Sequence, residues 1–395
     1  MNQRIARLQS MMAADGVEGL LYATSANLQY FLDDTTFPWQ RTMDTGGVDG
    51  VLIDGKDISS SGASHFLNMP DLLLYVPAAD EPMLFMTPQR ARTMEHIQMK
   101  KRIDYFVMLP ERVGEVIKGK KRIAYGESCG AYLKDRVIGE TDSSIEAVPG
   151  ERYGELLRRI KDPGEIQKLR RVAAFTDETM GIIVKHLKAG VSSNQIEDLI
   201  IRLGVEKSLG DIPFPPTCRY VHTGSPESED LDGHDENAPM EEGTSVGFDY
   251  GYVMDGYCSD FGRSFYYGKN KDASDGYKAL MEAQLRLLDA IKPGIPMSLC
   301  FNSLYATMSQ FSQEKWLRKY GDFGLMGHQI GIDVHERPWL HTDQTAIFEP
   351  GMVMCIEPKF WRPGVGFMRV EDMVLITETG CESLTKFDRE LFELG

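Results

Sequence analysis

Two acidic residues occupy strand-like positions in GFDYGYVMDGYCSDFGRSF, residues 247 to 265. If Asp255 and Gly256 form a two-residue turn, position 254 pairs with 257, 249 with 262 and 251 with 260. Asp249 and Asp260 are then diagonal neighbours on one face, within roughly 7–8 Å. Two such carboxylates repel each other and lose hydration, and one or two divalent cations would remove both costs. A three-residue turn without a bulge would place them on opposite faces, so the metal interpretation depends on this register.

A second acidic pair occurs near the end of the chain, in GMVMCIEPKFWRPGVGFMRVEDMVLIT. A five-residue loop from 362 to 366 would pair position 361 with 367 and place Glu357 directly opposite Glu371. The neighbours of Glu357 are apolar, so a solvated position is not expected for it. One such residue is more often a salt-bridged core acid than a ligand, but two hairpins with two acids each favour a metal site.

A histidine segment, GLMGHQIGIDVHERP, separates the two hairpins. His328 is flanked by Gly327 and Gly331, which let the backbone approach a site closely. It could supply the nitrogen ligand that a carboxylate site for Mn, Fe, Co or Zn usually has. His335 would face away on a straight strand, so it reaches the same site only if the chain bends.

The composition is that of a folded globular protein, with 42% hydrophobic and 26% charged residues in 395. A net charge of −16 argues against a nucleic acid partner. We find no signal peptide pattern and no apolar stretch of about 18 residues, so no membrane partner is expected and a cytoplasmic location is predicted. The six cysteines are scattered without a CxxC pair, and most are interpreted as buried, reduced thiols.

The chain changes character near residue 155. Before it, helix-like and strand-like segments alternate, with short apolar runs such as EGLLYAT and DLLLYVP that indicate strands covered on both faces. After it come long amphipathic helices, broken at Asp162-Pro163-Gly164, and then the hairpins. We therefore expect an α/β domain over residues 1–154 and a second domain over 155–395.

The acids and histidine, with the local motifs DYGYVMDGYCSD, GHQIGIDVHE, IEP and RVED, resemble the pita-bread metallopeptidase family, which includes methionine aminopeptidase, aminopeptidase P and prolidase. The resemblance covers the last 240 or so residues. TSANLQYFLD, at 24 to 33, resembles the opening of the creatinase-like N-terminal domain of prolidases. The resemblance implies an α/β N-terminal domain followed by an α+β pita-bread catalytic domain.

The resemblance also implies a dinuclear centre with two divalent ions per chain, Mn, Co, Zn or Fe. Asp249 would bind one ion, Asp260 and Glu371 would bridge the two, and His328 and Glu357 would complete the second. A metal-bridging hydroxide would attack a small amide or Xaa-Pro peptide bond, with Glu357 as a plausible proton shuttle.

Three further residues acquire roles from the same resemblance. His335 would bind the substrate or stabilise the oxyanion, and Arg369 would contact the substrate's carboxylate, although a structural pairing of Arg369 with Asp372 is an equal alternative. The family's upstream catalytic histidine would be His234, with His222 as the weaker candidate.

Several positions differ from the peptidase pattern, among them Gly262, Gly324 and Leu325. These differences remove no metal ligand, but they do not decide whether the substrate is a dipeptide or another small molecule. One alternative is a metal-dependent lyase or hydrolase of a cationic substrate, similar to the dimethylsulfoniopropionate-cleaving relatives. The acidic stretch 224–243 would favour such a substrate, and cation–π contacts could come from Trp39, Tyr250, Trp339 and Trp361.

Two other expectations concern whether the chain is a catalytically inactive relative and whether it forms a dimer. A non-catalytic or metal-free relative would have lost ligands, and none is lost. Relatives suggest a homodimer in which the N-terminal domain covers the neighbouring subunit's site, and the stretch FPWQRTMD, residues 37 to 44, is the predicted contact.

Overall fold

The computed structural model describes residues 2–35, 52–53, 56–57, 70–206, 212–225, 237–319 and 324–395. His234, Trp39 and the predicted contact stretch 37–44 therefore lie outside the described residues. The chain divides into two compact units, Met1–Arg158 and Arg159–Gly395. Within the described ranges, no helix combines the length and the apolar character needed to cross a bilayer.

The first unit is built on a six-stranded mixed sheet with the order β6-β5-β4-β1-β7-β8. Its strands are β1 (Gly19–Ala23), β4 (Leu72–Pro77), β5 (Met83–Met86), β6 (Lys100–Ile103), β7 (Arg122–Tyr125) and β8 (Glu146–Pro149), and β2 (Leu52–Ile53) pairs with β3 (Lys56–Asp57) apart from it. Every residue of β1 and β4 is buried, because helices cover the sheet. The apolar runs thus correctly predicted strands covered on both faces.

Among its described residues, this unit has the helices Gln3–Ala14, Ala26–Leu32, Pro88–Thr93, Leu109–Ile117 and Glu151–Arg158, with a π-helix at Tyr132–Gly139. The helix Leu109–Ile117 buries Leu109, Val113 and Ile117 against the sheet. This spacing of three to four residues is what an amphipathic helix requires.

The second unit contains the helices Pro163–Ile183, Ser193–Glu206, Lys271–Ala290 and Cys300–Gln310. The first of them begins at the predicted break, where the Asp162 side chain accepts a hydrogen bond from the Glu165 backbone N–H and the Glu165 side chain accepts one from the Asp162 backbone N–H. This reciprocal cap, with Pro163 at the first helical position, fixes the start of the helix.

Two sheets and two hairpins complete the second unit. The sheets have the orders β21-β13-β10-β9 and β15-β14-β16-β19-β20, and β11 pairs with β12 and β17 with β18. The strands are β9 (Thr217–His222), β10 (Thr244–Asp249), β11 (Val253–Met254), β12 (Tyr257–Cys258), β13 (Ser264–Tyr267), β14 (Gly327–Gln329), β15 (Glu336–Leu340), β16 (Val353–Ile356), β17 (Lys359–Arg362), β18 (Gly366–Arg369), β19 (Asp372–Ile376), β20 (Cys381–Ser383) and β21 (Glu393–Leu394).

Each sheet buries one face against a pair of helices. In β16, Met354 and Ile356 join the apolar core formed with the helices Lys271–Ala290 and Cys300–Gln310. Because successive side chains of a strand alternate between faces, Cys355 and Glu357 face the other way. The five-stranded sheet therefore has one face in this apolar core, and its other face carries residues of the predicted site at one end and the buried apolar side chains of Val353 and Met373 beside them.

Candidate active site

The first hairpin has the predicted register. Asp255 and Gly256 adopt φ angles of 52° and 75°, as a type I′ turn requires. Met254 pairs with Tyr257, Tyr250 with Phe261 and Gly247 with Ser264. The same register places position 249 opposite 262 and 251 opposite 260, so the prediction on which the metal interpretation depends is confirmed.

The second hairpin also has the predicted register. Trp361 pairs with Phe367 in β17–β18, and Ile356 pairs with Asp372 in β16–β19. Both pairings continue one register, which places Glu357 opposite Glu371. The Glu371 backbone N–H donates to the Gly262 carbonyl at 2.9 Å, and this bond joins the second hairpin to the first.

His328 and His335 come together because the chain bends between β14 and β15. The register of β14–β15 shifts after His328, and the two imidazole rings lie edge to face with centroids 4.5 Å apart. His335 also stacks on Trp339, with a centroid distance of 5.2 Å. The bend that His335 requires in order to approach His328 is therefore present.

His328 points into the acidic cluster. Its Nδ1 lies 3.1 Å from the Gln329 carbonyl, an acceptor, so Nδ1 carries a proton. Its Nε2 faces Asp260 Oδ2 at 3.3 Å. One ligand atom from each of Asp260, His328, Cys355 and Glu371 lies within 4.8 Å of the others, and all four residues are buried.

Arg369 connects the remaining acids to this cluster. Its guanidinium contacts the Asp249 carboxylate and lies 3.2 Å from Glu371 Oε2 and 3.8 Å from Glu357 Oε2. The five residues predicted as metal ligands, Asp249, Asp260, His328, Glu357 and Glu371, therefore lie around one place in the second unit.

The carboxylates of the cluster differ in their pKa values. Burial and the charge of Asp249 raise the pKa of Asp260 to about 6, against the lowering effect of the His328 hydrogen bond. Burial and the neighbouring Asp260 raise the pKa of Glu371 well above its usual range. Burial acts the same way on Glu357, but Lys359 and Arg369 outweigh it and lower its pKa to about 2.

The donor set fits divalent metal ions. Asp260 Oδ1 and Glu371 Oε1 are buried atoms without a hydrogen-bond partner in the described structure. Uncompensated buried carboxylate oxygens are costly, and a divalent cation would satisfy both. Oxygen donors with one imidazole suit Mn, Fe, Co or Zn, and the buried thiol of Cys355 adds a softer donor beside them.

Asp372 has different partners from those considered in the sequence. It accepts hydrogen bonds from Arg263 Nη2 at 2.6 Å and Arg389 Nε at 2.9 Å, whereas Arg369 contacts Asp249, Glu357 and Glu371. The suggested pairing of Arg369 with Asp372 is therefore wrong. Side chains 369 and 371 share one face of the chain and 372 lies on the other, which explains the separation.

Neither candidate for the upstream catalytic histidine, His234 or His222, is found at the acidic cluster among the described residues. His234 lies outside them. His222 pairs with Thr244 at one end of β9–β10, and Thr217 pairs with Asp249 at the other end. Five residues of strand separate them, roughly 17 Å at about 3.4 Å per residue, so His222 is too distant to act on the cluster.

Two residues of the site were missed in the sequence. Cys355 was grouped with the buried thiols, and Lys359 was not considered, yet the Lys359 Nζ lies 2.5 Å from Glu357 Oε2. Both are two positions from Glu357, so the period-two rule for strands would have placed them on the same face.

Residues 167–378, more than half of the chain, match Metallopeptidase family M24. The chain is 30% identical over 237 residues to an uncharacterized peptidase of Staphylococcus aureus, a match that spans 59% of this chain and 64% of that protein. The structure of the present chain resembles that of the prolidase of Pyrococcus horikoshii. The TM-score is 0.79 at 19% identity, and the match covers 99% of this chain and 100% of the prolidase chain.

A Xaa-Pro dipeptidase from Bacillus anthracis gives a TM-score of 0.79 at 21% identity, with 99% of each chain covered. These likenesses extend over both units and confirm the predicted pita-bread fold. Since the family match covers more than half of its residues, the chain belongs to the M24 family of metallopeptidases.

Proposed function

We propose that the protein is a dinuclear metal-dependent hydrolase that cleaves an Xaa-Pro dipeptide or another small amide bond. The observation that supports this most directly is the convergence of the four acids and His328, with one unpartnered buried oxygen on Asp260 and another on Glu371. Asp249, Asp260, His328, Glu357 and Glu371 would hold two divalent ions, with Asp260 and Glu371 between them. The ions, when bound, would activate water and polarise the scissile carbonyl.

The side chains around the metal ligands have separate tasks in this proposal. Glu357, which lies beside Lys359 and Arg369 at the cluster, would accept a proton from the attacking water and pass it to the leaving nitrogen. Burial and the neighbouring His328 lower the pKa of His335 to about 4, so at neutral pH His335 is an uncharged donor for the developing oxyanion. Arg369 would bind the substrate's carboxylate.

A cationic non-peptide substrate is the weaker candidate. The Tyr250 ring is fully buried and its hydroxyl donates to the Thr176 carbonyl at 2.9 Å, so it does not face a substrate. Lys359 and Arg369 place two positive charges beside Glu357, which would repel a cation. A homodimer and a cytoplasmic location remain predictions from the sequence.

The proposal is tested with chelated protein reloaded with Mn, Co, Zn or Fe. Bound metal is counted per chain, and hydrolysis of Xaa-Pro and Xaa-Ala dipeptides is followed by release of the free amino acid. We expect about two ions per chain and metal-dependent cleavage of Xaa-Pro. Two ions without turnover of any peptide would refute the peptidase assignment and retain the metal site.

Asp260→Ala tests the site itself. The variant should remain folded, bind less metal and lose activity, because it removes the carboxylate that contacts His328. Asp275→Ala is the matched control, since Asp275 pairs with Lys271 on an exposed helix surface and its removal should change neither quantity. Undiminished hydrolysis by Asp260→Ala would overturn the assignment.

A further inference from the structure

A buried ion pair lies directly beside the proposed catalytic residue His335. The Lys161 Nζ is 3.0 Å from Glu336 Oε2, and the two side chains are only 1% and 3% exposed. Glu336 follows His335 in the chain and is the first residue of β15. Because a buried ion pair is often no more stabilising than well-packed apolar side chains, stability alone does not explain its location.

The Glu336 carboxylate lies inside the bend between β14 and β15. Gln329 pairs with Glu336 across the two strands, so residues 330–335 form the bend. Glu336 Oε1 accepts a hydrogen bond from the Asp333 backbone N–H at 3.3 Å. A Cβ at Gly331 would lie 2.7 Å from Oε1 and 2.8 Å from Oε2, so the carboxylate lies against the Gly331 backbone. One carboxylate therefore contacts both the start and the middle of the bend.

The position of the His335 ring depends on this bend. Glu336 is buried, but the neighbouring His335 is partly exposed to solvent, so the protein interior does not enclose its side chain. The Cys258 backbone N–H donates to the Gly331 carbonyl at 2.8 Å, which ties the first part of the bend to the first hairpin. The part that leads into His335 is held by the Glu336 carboxylate. A functional side chain on a loop is placed accurately only where such supporting contacts fix the backbone.

Lys161 is a well-fixed anchor for this carboxylate. Its backbone N–H donates to the Gly351 carbonyl at 2.9 Å, shortly before β16. The next residue, Asp162, caps the helix Pro163–Ile183. The cation is therefore attached to the start of a long helix and to the strand that leads to Glu357.

We propose that Lys161 is a positioning residue, which through its ion pair with Glu336 holds the bend in the conformation that directs the His335 ring to the acidic cluster. This inference rests on the proposed catalytic role of His335. Lys161 acts through Glu336 and the bend, so its removal affects the reaction only as far as His335 contributes to it.

A double-mutant cycle tests this dependence in metal-loaded protein with an Xaa-Pro dipeptide. We expect Lys161→Met to lower kcat about tenfold and to change KM by less than about twofold, with bound metal per chain unchanged. In a His335→Ala background the same substitution should lower kcat by less than about twofold, because the residue through which it acts is gone. An equal loss of kcat in both backgrounds would overturn the inference.

A second variant and a control separate positioning from stability. Lys161→Met with Glu336→Gln leaves no unpaired buried charge, so it should lower Tm less than Lys161→Met alone and lose the same kcat. Leu287→Ala is the control: Leu287 is 3% exposed in the apolar core, and its truncation should lower Tm but leave kcat at 25 °C unchanged. A loss of kcat in Leu287→Ala equal to that of Lys161→Met would attribute the loss to stability and refute the role of Lys161.

The position of His335 can be measured without turnover. In zinc-loaded protein with ¹³C-labelled histidine, the imidazole signal of His335 is identified by its loss in His335→Ala, and its stacking on Trp339 should displace it from the signal of an exposed histidine. Lys161→Met should move it toward the exposed value, and Leu287→Ala should not. If wild type hydrolyses no dipeptide, the proposed function fails while this comparison still tests the positioning. An unchanged His335 signal in Lys161→Met would refute it.

Discussion

Arg263→Met should destabilise the second unit strongly, because Arg263 is a fully buried cation with several partners. Its side chain has 0% exposure, as does that of Asp372, to which it donates at 2.6 Å. It also donates to the backbone carbonyls of Glu371 at 2.6 Å and Gly262 at 2.9 Å. One side chain therefore holds the two hairpins of the candidate site together.

The magnitude follows from what remains after the substitution. Methionine fills part of the volume but leaves the Asp372 carboxylate without one of its cations, and removes the donor from two carbonyls. Breaking a buried ion pair by removing one partner costs about 3–5 kcal/mol. For a unit of this size each kcal/mol lowers Tm by about 2–4 °C, so the expected decrease is roughly 6–20 °C.

Thermal unfolding of the chelated protein, followed by circular dichroism, measures this decrease without a contribution from metal. Arg389→Met is the control: Arg389 also donates to Asp372, at 2.9 Å, but its side chain is 20% exposed. Water can replace it, so its loss should cost about 1 kcal/mol. A decrease for Arg263→Met no larger than that of Arg389→Met would refute the reasoning.

Two other predictions concern the cluster. Reloading the chelated wild type with metal at 100 times Kd should add about 2.7 kcal/mol and raise Tm by roughly 5–11 °C, whereas Asp260→Ala should show little increase; an equal increase in both would place the metal elsewhere. In Gly262→Ala the new Cβ would lie 2.2 Å from Arg369 Cδ and 2.8 Å from Glu371 Oε2, so Tm should fall by the equivalent of about 1–3 kcal/mol and KM for Xaa-Pro should rise. Gly181→Ala, at a helical glycine whose Cβ would meet nothing within 4 Å, should leave Tm unchanged or raise it; a loss equal to that of Gly262→Ala would contradict the steric explanation.

The acidic pairs could be predicted because hairpin register is a local property. Asp255-Gly256 selects a type I′ turn, and once the turn is fixed every cross-strand pair follows by counting. The same holds for Glu357 and Glu371, whose register continues from the 361–367 pair. Short apolar runs likewise identified the strands β1 and β4 of the first unit, and the break at Asp162-Pro163-Gly164 identified the start of the helix at Pro163.

The partners of Arg369 could not be predicted in this way, because they come from both hairpins. Counting residues places Arg369 on the face of Glu371, but its contact with Asp249 requires the docking of β17–β18 near β10. Docking is a long-range property, and no spacing in the sequence specifies it. This is why Asp372 seemed an equally good partner for Arg369 until its true partners, Arg263 and Arg389, were located.

Gly262 is a second position whose role depends on long-range contacts that the sequence does not specify. In the sequence it is a departure from the peptidase pattern without an evident purpose. In the structure any Cβ at this position would collide with the Arg369 stem and the Glu371 carboxylate. The glycine thus allows Arg369 to lie among the acids, and its effect is exerted through a residue 107 positions away in the chain.

In the proposed reaction, contacts inside the site would decide the polarity of the substrate more than the net charge of the chain does. The chain carries a charge of −16, and its acidic stretch suggested a cationic ligand. Charges at the surface are screened beyond about 8 Å at physiological ionic strength. Lys359 and Arg369 would act on a bound ligand at contact distance in a shielded site, where screening is weak. In the proposed hydrolase the bound metal ions would offset the four carboxylates of the site, and the two nearby cations would then favour an anionic group of the substrate.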